Sequence, residues 1–168
     1  MSKIALVYGT STGNTERVAV MIQNRLADHH VELYNVQECG VDFYGRYDNF
    51  IFGVSTWGEG DLQDDWECYV EAFRTIDFTG KTVAIFGLGD QEEYPDNYVD
   101  AMGTLYDILV ENGAHIVGSW HTVGYDFDES AAVRDGEFVG LALDEDNQSD
   151  QTDKRIETWL GEVLPAFV

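Results

Sequence analysis

Basic residues are scarce in this sequence. It has 9 lysine and arginine residues against 32 aspartate and glutamate residues, a formal net charge of −23 at pH 7. A chain this acidic repels nucleic acid and anionic membrane and attracts basic protein surfaces. We therefore expect no nucleic-acid partner. The charge alone does not distinguish a docking surface for basic proteins from a surface adapted to solubility or salt.

Cysteine and long apolar runs are also scarce. The two cysteines, Cys39 and Cys68, are too far apart for a redox pair or half of a zinc site, so we predict free thiols and no metal site. No apolar run approaches the roughly 18–20 residues of a membrane helix. Residues 1–3 lead into a short apolar strand without the layout of a signal peptide. We expect a cytoplasmic protein that does not insert into a membrane.

The rest of the chain alternates strand and helix patterns. Continuous apolar runs at 4–8, 50–54 and 82–86 predict buried parallel strands, and the alternating run at 31–36 predicts an edge strand. Apolar stripes predict four helices. These stripes are Val18, Ile22 and Leu26; Trp66, Tyr69, Val70 and Phe73; Val99, Met102, Tyr106 and Leu109; and Ile156, Trp159, Leu160, Val163 and Phe167.

The fifth strand pattern occurs twice, at 115–118 and at 138–143. The intervening segment, about 119–137, is rich in Gly, Asp, Glu and Ser, and it is long for a connection inside a compact domain. We interpret it as an insertion that splits an edge strand. The chain is thus predicted to be a single α/β domain over residues 1–168, a doubly wound five-stranded parallel sheet with helices on both faces.

Ligands of such sheets bind beyond the carboxyl ends of the strands. After the first strand, Gly9–Thr15 supplies four hydroxyl groups, two glycines and a helix N-terminus, which suit a phosphate. It is not a Walker A loop, because Asn14 stands where a basic group would help. The alternative is an ordinary helix cap.

Two further loops each carry an aromatic residue. Trp57 lies in the glycine-rich turn Ser55–Asp61, where it could stack on a flat ligand or pack on a neighbouring loop. Tyr94 lies in Gly87–Tyr98, which alone could be a surface loop. Together the three loops predict a phosphate cradle and two aromatic walls around a planar ring.

At this point the sequence resembles a known family. Residues 10–15, 56–60 and 87–91, with Tyr94 following, are similar to the three FMN-binding loops of flavodoxins. Residues 118–127 and 138–148 resemble the long-chain subgroup, including its split fifth strand. The resemblance implies the strand order 2-1-3-4-5.

The resemblance also implies a function. It indicates an electron-transfer protein, not an enzyme, that binds FMN non-covalently and shuttles single electrons at low potential between the semiquinone and hydroquinone. The three loops contain no Lys or Arg, which disfavours the negative charge of fully reduced flavin. The alternative from another class is an FMN-dependent NAD(P)H:quinone reductase on the same fold.

The resemblance assigns roles to individual residues. Trp57 and Tyr94 sandwich the ring, Asp90 with neighbouring backbone reads the pyrimidine edge, and the Gly58–Glu59 peptide lies beside N5. Asn97 and Asp146 reach the ribityl or pyrimidine region. The phosphate is held by Thr10, Ser11, Thr12, Gly13, Asn14 and Thr15, and Thr56, Gly60 and Gly89 complete the cofactor-binding set. Some positions depart from common family choices: Asn14 replaces a frequent Lys, Ser55 a frequent Pro, and Leu88 a frequent Thr.

Partners follow from charge and family. Acidic residues cluster beside the proposed flavin edge and predict docking of a basic redox protein, although they also form the solvated face of a helix. The resemblance implies partners such as a ferredoxin–NADP reductase, photosystem I or nitrogenase reductase, and a monomeric carrier. The acidic residues are Asp61, Asp64, Asp65, Glu67 and Glu71.

Overall fold

The computed structural model describes residues 2–168 as alternating strands and helices. The strands are β1 (Lys3–Tyr8), β2 (His30–Asn35), β3 (Asn49–Trp57), β4 (Asp61–Leu62), β5 (Thr82–Leu88), β6 (His115–Val117), β7 (Val133–Arg134), β8 (Glu137–Phe138) and β9 (Leu141–Leu143). The α-helices are α1 (Asn14–Arg25), α2 (Asp64–Phe73), α3 (Asp100–Glu111) and α4 (Ser149–Val163). Short 3₁₀ helices cover Val36–Glu38, Val41–Arg46 and Leu164–Ala166.

The main sheet has the hydrogen-bonded order β2-β1-β3-β5-β6, and β9 also pairs with β5. All of these pairs are parallel. β6 pairs with the first half of β5, and β9 pairs with Phe86–Leu88 in its second half. The order 2-1-3-4-5 is confirmed, with the fifth position divided between β6 and β9.

The inner strands are buried along both faces of this sheet. Residues 4–7 of β1 and all of β5 are buried. Because successive residues of a strand point to opposite faces, continuous burial requires cover on both sides. The edge strand β2 alternates between exposed and half-buried residues, as its sequence pattern predicted.

The predicted second half of the fifth strand, 138–143, was wrong in its first three residues. Phe138 pairs with Trp120 in an antiparallel bridge, with N···O distances of 2.8 and 2.7 Å, and belongs to the β7–β8 hairpin. Gly140 then crosses close to β5, where an added Cβ would lie 2.1 Å from the Ile85 carbonyl oxygen. An apolar run alone does not reveal this change of partner.

The helices bury the expected stripes, except that Tyr69 and Tyr106 are half-buried. In α3, Met102 and Leu109 are fully buried as expected, and so is Val99, which occupies the N-cap position just before the helix. Leu105 is fully buried as well, so the buried face of α3 is wider than the predicted stripe. No helix within residues 2–168 combines the length and apolar character needed to cross a membrane.

Candidate functional site

A cavity of about 310 Å³ lies at the carboxyl ends of β1, β3 and β5. The three loops that follow these strands line it, together with the segment after β9. From the predicted set it is lined by Thr12, Asn14, Thr15, Thr56, Trp57, Gly58, Gly89, Asp90, Tyr94 and Asp146. Ser55, Leu88 and Glu145 also line it.

The first loop leaves the N-terminus of α1 open. Gly13 occupies the N-cap position with φ 92°, and it has no side chain to cap the helix. The Thr10 hydroxyl oxygen accepts a hydrogen bond from the Gly13 amide at 2.9 Å, which shapes the turn. The first amides of α1, with the positive end of the helix dipole, remain available to an anion.

The segment from β4 to α2 supports this loop through hydrogen bonds. The Gln63 side-chain amide donates to the Ser11 hydroxyl at 2.9 Å. The Asp65 carboxylate accepts from the Thr10 amide at 3.1 Å and from the Asn35 side chain at 3.2 Å. Asp65 is therefore half-buried against the first loop and does not project into solvent like its acidic neighbours.

Two large aromatic side chains border the cavity and remain exposed. The exposed fraction is 44% for Trp57 and 40% for Tyr94. The Trp57 indole donates to the Ser55 hydroxyl at 3.0 Å, which restrains its ring. Aromatic residues carry large apolar surfaces that are usually buried. Two of them left open around one cavity fit a flat aromatic ligand.

Trp57 is placed by a tight β3–β4 hairpin. Trp57 pairs with Asp61 across it, and the turn needs positive φ at Gly58 (51°) and Gly60 (97°). At Gly60 a Cβ would also lie 2.8 Å from an Asp100 carboxylate oxygen. The Thr56 hydroxyl oxygen accepts from the Ala101 amide at 2.9 Å and ties the hairpin to the start of α3.

Asp90 shapes the turn that precedes Tyr94. Its Oδ1 accepts from the Glu92 and Glu93 amides at 3.1 and 2.9 Å, and from the Asn147 side chain at 2.8 Å. The negative charge of nearby Asp146 is disfavoured by its surroundings. Partial burial and then the negative charges of Asp90, Asp144 and Glu145 raise the pKa of its carboxyl. Asp90 and Asp146 therefore make this part of the cavity lining acidic.

Comparison with known proteins decides the family. The model of the flavodoxin family matches residues 6–159. The chain belongs to the flavodoxin family. A flavodoxin of Synechocystis sp. is 49% identical over 166 residues, covering 98% of each chain, and one of Buchnera aphidicola is 41% identical over 168 residues, covering 99% of this chain and 98% of the relative.

Solved structures agree with this assignment. The crystal structure of Fusobacterium nucleatum flavodoxin bound to flavin mononucleotide has a TM-score of 0.95 and 34% sequence identity, covering 100% of both chains. A Bacillus cereus flavodoxin has a TM-score of 0.75 and 27% identity, covering 99% of this chain and 100% of that one.

The remaining predicted site residues of this flavodoxin lie around the cavity lining, not in it. Thr10, Ser11 and Gly13 complete the first loop, and Glu59 and Gly60 complete the hairpin turn. Asn97 is turned away: its side-chain amide donates to Asp100 at 3.1 Å, beside the start of α3.

Two supporting residues were missed by sequence reasoning. Glu145 lines the cavity and pairs with Arg17 of α1 at 3.0 Å, so a cation stands near the site although the three loops contain none. Gln63 lies under the first loop. Neither position carries a local sequence signal, because both contacts join distant parts of the chain.

Proposed function

We propose that this chain binds one FMN non-covalently and carries single electrons at low potential between redox proteins. The observation that carries this function is the pair of exposed aromatics, Trp57 and Tyr94, lining one cavity with the open N-terminus of α1. FMN combines a flat heterocycle with a phosphate and fits both features. When bound, FMN supplies reversible one-electron chemistry, and the protein binds, orients and tunes it.

The first loop holds the phosphate end. The amides that follow Gly13 and the exposed Thr12 hydroxyl donate to the phosphate, and the α1 dipole adds partial positive charge. Neutral donors replace the cation that other phosphate sites use. The full set for this role is Thr10, Ser11, Thr12, Gly13, Asn14 and Thr15.

The second and third loops hold the ring. Trp57 and Tyr94 stack on its two faces, and the Gly58–Glu59 peptide lies at its edge, with Thr56 and Gly60 maintaining the hairpin. Gly89 and Asp90 approach the pyrimidine side. Asp146 lies at the cavity wall, whereas Asn97 contributes through Asp100 and the start of α3.

The surroundings of the ring favour a low potential. Adding negative charge to the ring is disfavoured wherever the protein already holds uncompensated carboxylates. The raised pKa of Asp146, caused by burial and neighbouring acids, reports such a field. Arg17 approaches the cavity lining through Glu145, and this ion pair offsets part of its positive charge.

Docking takes place beside the hairpin. Asp61, Asp64, Glu67 and Glu71 are exposed there and form what we call the acidic surface. Asp65 contributes charge, but its hydrogen bonds serve the first loop. The complementary partner is a basic redox protein of the ferredoxin–NADP reductase, photosystem I or nitrogenase reductase type.

The organisation of the protein stays a prediction. We propose a single domain over residues 1–168, with 119–137 as the long-chain insertion, acting as a monomer in the cytoplasm. One contiguous core that includes residues from β1 to α4 supports the single domain. The free thiols of Cys39 and Cys68 are compatible with a reducing compartment.

Binding of FMN and of riboflavin by calorimetry tests the function. We expect a yellow holoprotein with one FMN per chain and strongly quenched flavin fluorescence. Thr12→Ala should weaken the binding of FMN more than that of riboflavin, by roughly 0.5–3 kcal/mol for a hydrogen bond to a charged acceptor. Thr79→Ala, at an exposed position away from the cavity, is the control. An apoprotein that ignores FMN, or prefers FAD, would refute the proposal.

The quinone reductase alternative is not favoured. The matched family and the relatives reported above are flavodoxins. Steady oxidation of NADPH by quinone at catalytic concentrations of the isolated holoprotein would reverse this preference.

A further inference from the structure

Gln63 is a buried polar residue that contacts the first loop without lining the cavity. It follows β4 directly, stands at the N-cap of α2 and is only 1% exposed. Its Nε2 donates to the Ser11 hydroxyl oxygen at 2.9 Å. Among residues 2–168 its Oε1 has no hydrogen-bond partner.

The contacts of Gln63 determine which way its amide faces. Oε1 points at Gly9, where an added Cβ would lie 2.3 Å away, so it meets a Cα hydrogen. A carbonyl oxygen can accept a weak C–H hydrogen bond there, whereas the reversed amide would place two N–H donors against hydrogen. The NH₂ group therefore faces Ser11.

This orientation decides what the Ser11 hydroxyl can do. A hydroxyl has one proton to donate and lone pairs to accept. Because Gln63 donates to the oxygen, the Ser11 proton is not used in this contact and is directed elsewhere. Ser11 is itself exposed, in the loop that precedes the open N-terminus of α1.

We propose that Gln63 is a positioning residue that sets the Ser11 hydroxyl as a hydrogen-bond donor toward the phosphate of the ligand. This inference rests on the proposed FMN function and deepens it. Gln63 acts through Ser11 and does not touch the ligand. Because β4 also pairs with Trp57, the same segment supports the phosphate loop and the aromatic hairpin.

Gln63→Glu tests the proposal, since a carboxylate of nearly the same shape can only accept from Ser11. At pH 8 the Ser11 proton would turn inward, and FMN affinity should fall about tenfold or more while riboflavin affinity changes little. Gln63→Met removes the donor without adding charge. It should also lower the affinity for FMN selectively, but less than Gln63→Glu does, because the Ser11 hydroxyl is then free to turn either way.

The negative charge that Gln63→Glu adds also repels phosphate. The substitution is therefore made both in the wild-type protein and in a Ser11→Ala variant. With Ser11→Ala there is no hydroxyl to redirect, and the proposal expects a clearly smaller loss from Gln63→Glu than in the wild-type background. An equal loss in the two backgrounds would mean simple charge repulsion and would overturn the proposal.

The remaining outcomes are also decisive. If Gln63→Met leaves FMN affinity unchanged, the role of Gln63 is overturned while the proposed function stays intact. An equal loss of affinity for FMN and for riboflavin in any folded variant has the same meaning. Urea unfolding of each apoprotein establishes which variants are folded. Failure of the wild-type chain to bind FMN would instead refute the proposed function.

Discussion

The fully buried carboxylate of Asp144 accepts hydrogen bonds from both the backbone and the side-chain amide of Gln91, at 3.1 and 2.8 Å. The Gln91 side-chain oxygen in turn accepts from the Asp126 amide at 2.6 Å. One glutamine thus joins the Tyr94 loop, the segment 119–137 and the segment after β9. The Tyr94 loop and the segment after β9 both contribute residues to the lining of the candidate site.

Gln91→Met should destabilise the apoprotein. It removes both side-chain bonds of Gln91 and leaves one donor and part of a buried carboxylate without partners, which costs about 1–3 kcal/mol. Urea unfolding measures the loss. Gln151→Met, at an exposed position of α4, is the control and should change little. Equal effects of the two substitutions would show that the Gln91–Asp144 contact contributes nothing specific.

Gly58→Ala should destabilise the hairpin that carries Trp57. Gly58 has φ 51°, and residues with a Cβ adopt this region at a cost of roughly 1–2 kcal/mol. Gly45→Ala is a matched control, because Gly45 has open space around its Cβ position and no positive φ. Unfolding free energies that rank the two variants in the opposite order would contradict this turn geometry.

Electron transfer to a basic partner should slow as salt increases, because screening at 0.1 M salt acts over about 10 Å. Asp64→Lys with Glu67→Lys should slow it about threefold or more at low salt, since both residues belong to the acidic surface. Stopped-flow kinetics with a basic redox protein measures the rate.

The control for this experiment is Glu111→Lys with Glu162→Lys. These exposed residues lie at or near the C-terminal ends of α3 and α4, away from the site, and the change in net charge is the same. If both pairs of substitutions slow the transfer equally, total charge governs the rate and the acidic surface has no local role.

Asp146→Asn should stabilise the apoprotein at neutral pH. Burial and neighbouring acids raise the pKa of Asp146 above 3.8, so its charged form disfavours the folded state. The penalty grows as pH rises through the ordinary and the raised pKa, and is absent below 3.8. We expect a gain of less than about 1 kcal/mol at pH 7, as for other exposed charges.

The pH dependence separates this effect from a change in packing. The stabilisation from Asp146→Asn should disappear when urea unfolding is repeated at pH values below 3.8. Asp28→Asn, at an exposed position far along the chain from the cavity, serves as the comparison. A gain that persists in acid would show that the Asp146 charge is not its cause.

Local patterns predicted most of the architecture, because buried strands and amphipathic helices each follow from the spacing of apolar residues within one short segment. The strands at 4–8, 50–54 and 82–86 and the open loop before α1 belong to this class. The start of β9 could not be predicted, since Phe138 pairs with Trp120 and Gly140 passes against Ile85 through contacts between distant segments.

The same limit applies to the candidate site. Trp57 and Tyr94 were identifiable as unusual residues in polar loops, and the structure brings them to one cavity. The inward orientation of Asp65 and the contact of Asn97 with Asp100 were not, because acidic and amide side chains give no sequence signal for the direction in which they point.

The division of the fifth strand has a consequence for the order of events during synthesis. Strand β5 already has β3 on one side, and the first half of its other edge obtains a partner, β6, soon after α3 emerges from the ribosome. Its second half, which leads into Gly89, waits for Leu141–Leu143, and the Gly89 amide then bonds to the Leu143 carbonyl at 3.1 Å. A nascent chain that ends within residues 119–137 can build the middle of the sheet but leaves the corner beside the candidate site unpaired, so the proposed binding site is completed only with the last quarter of the polypeptide.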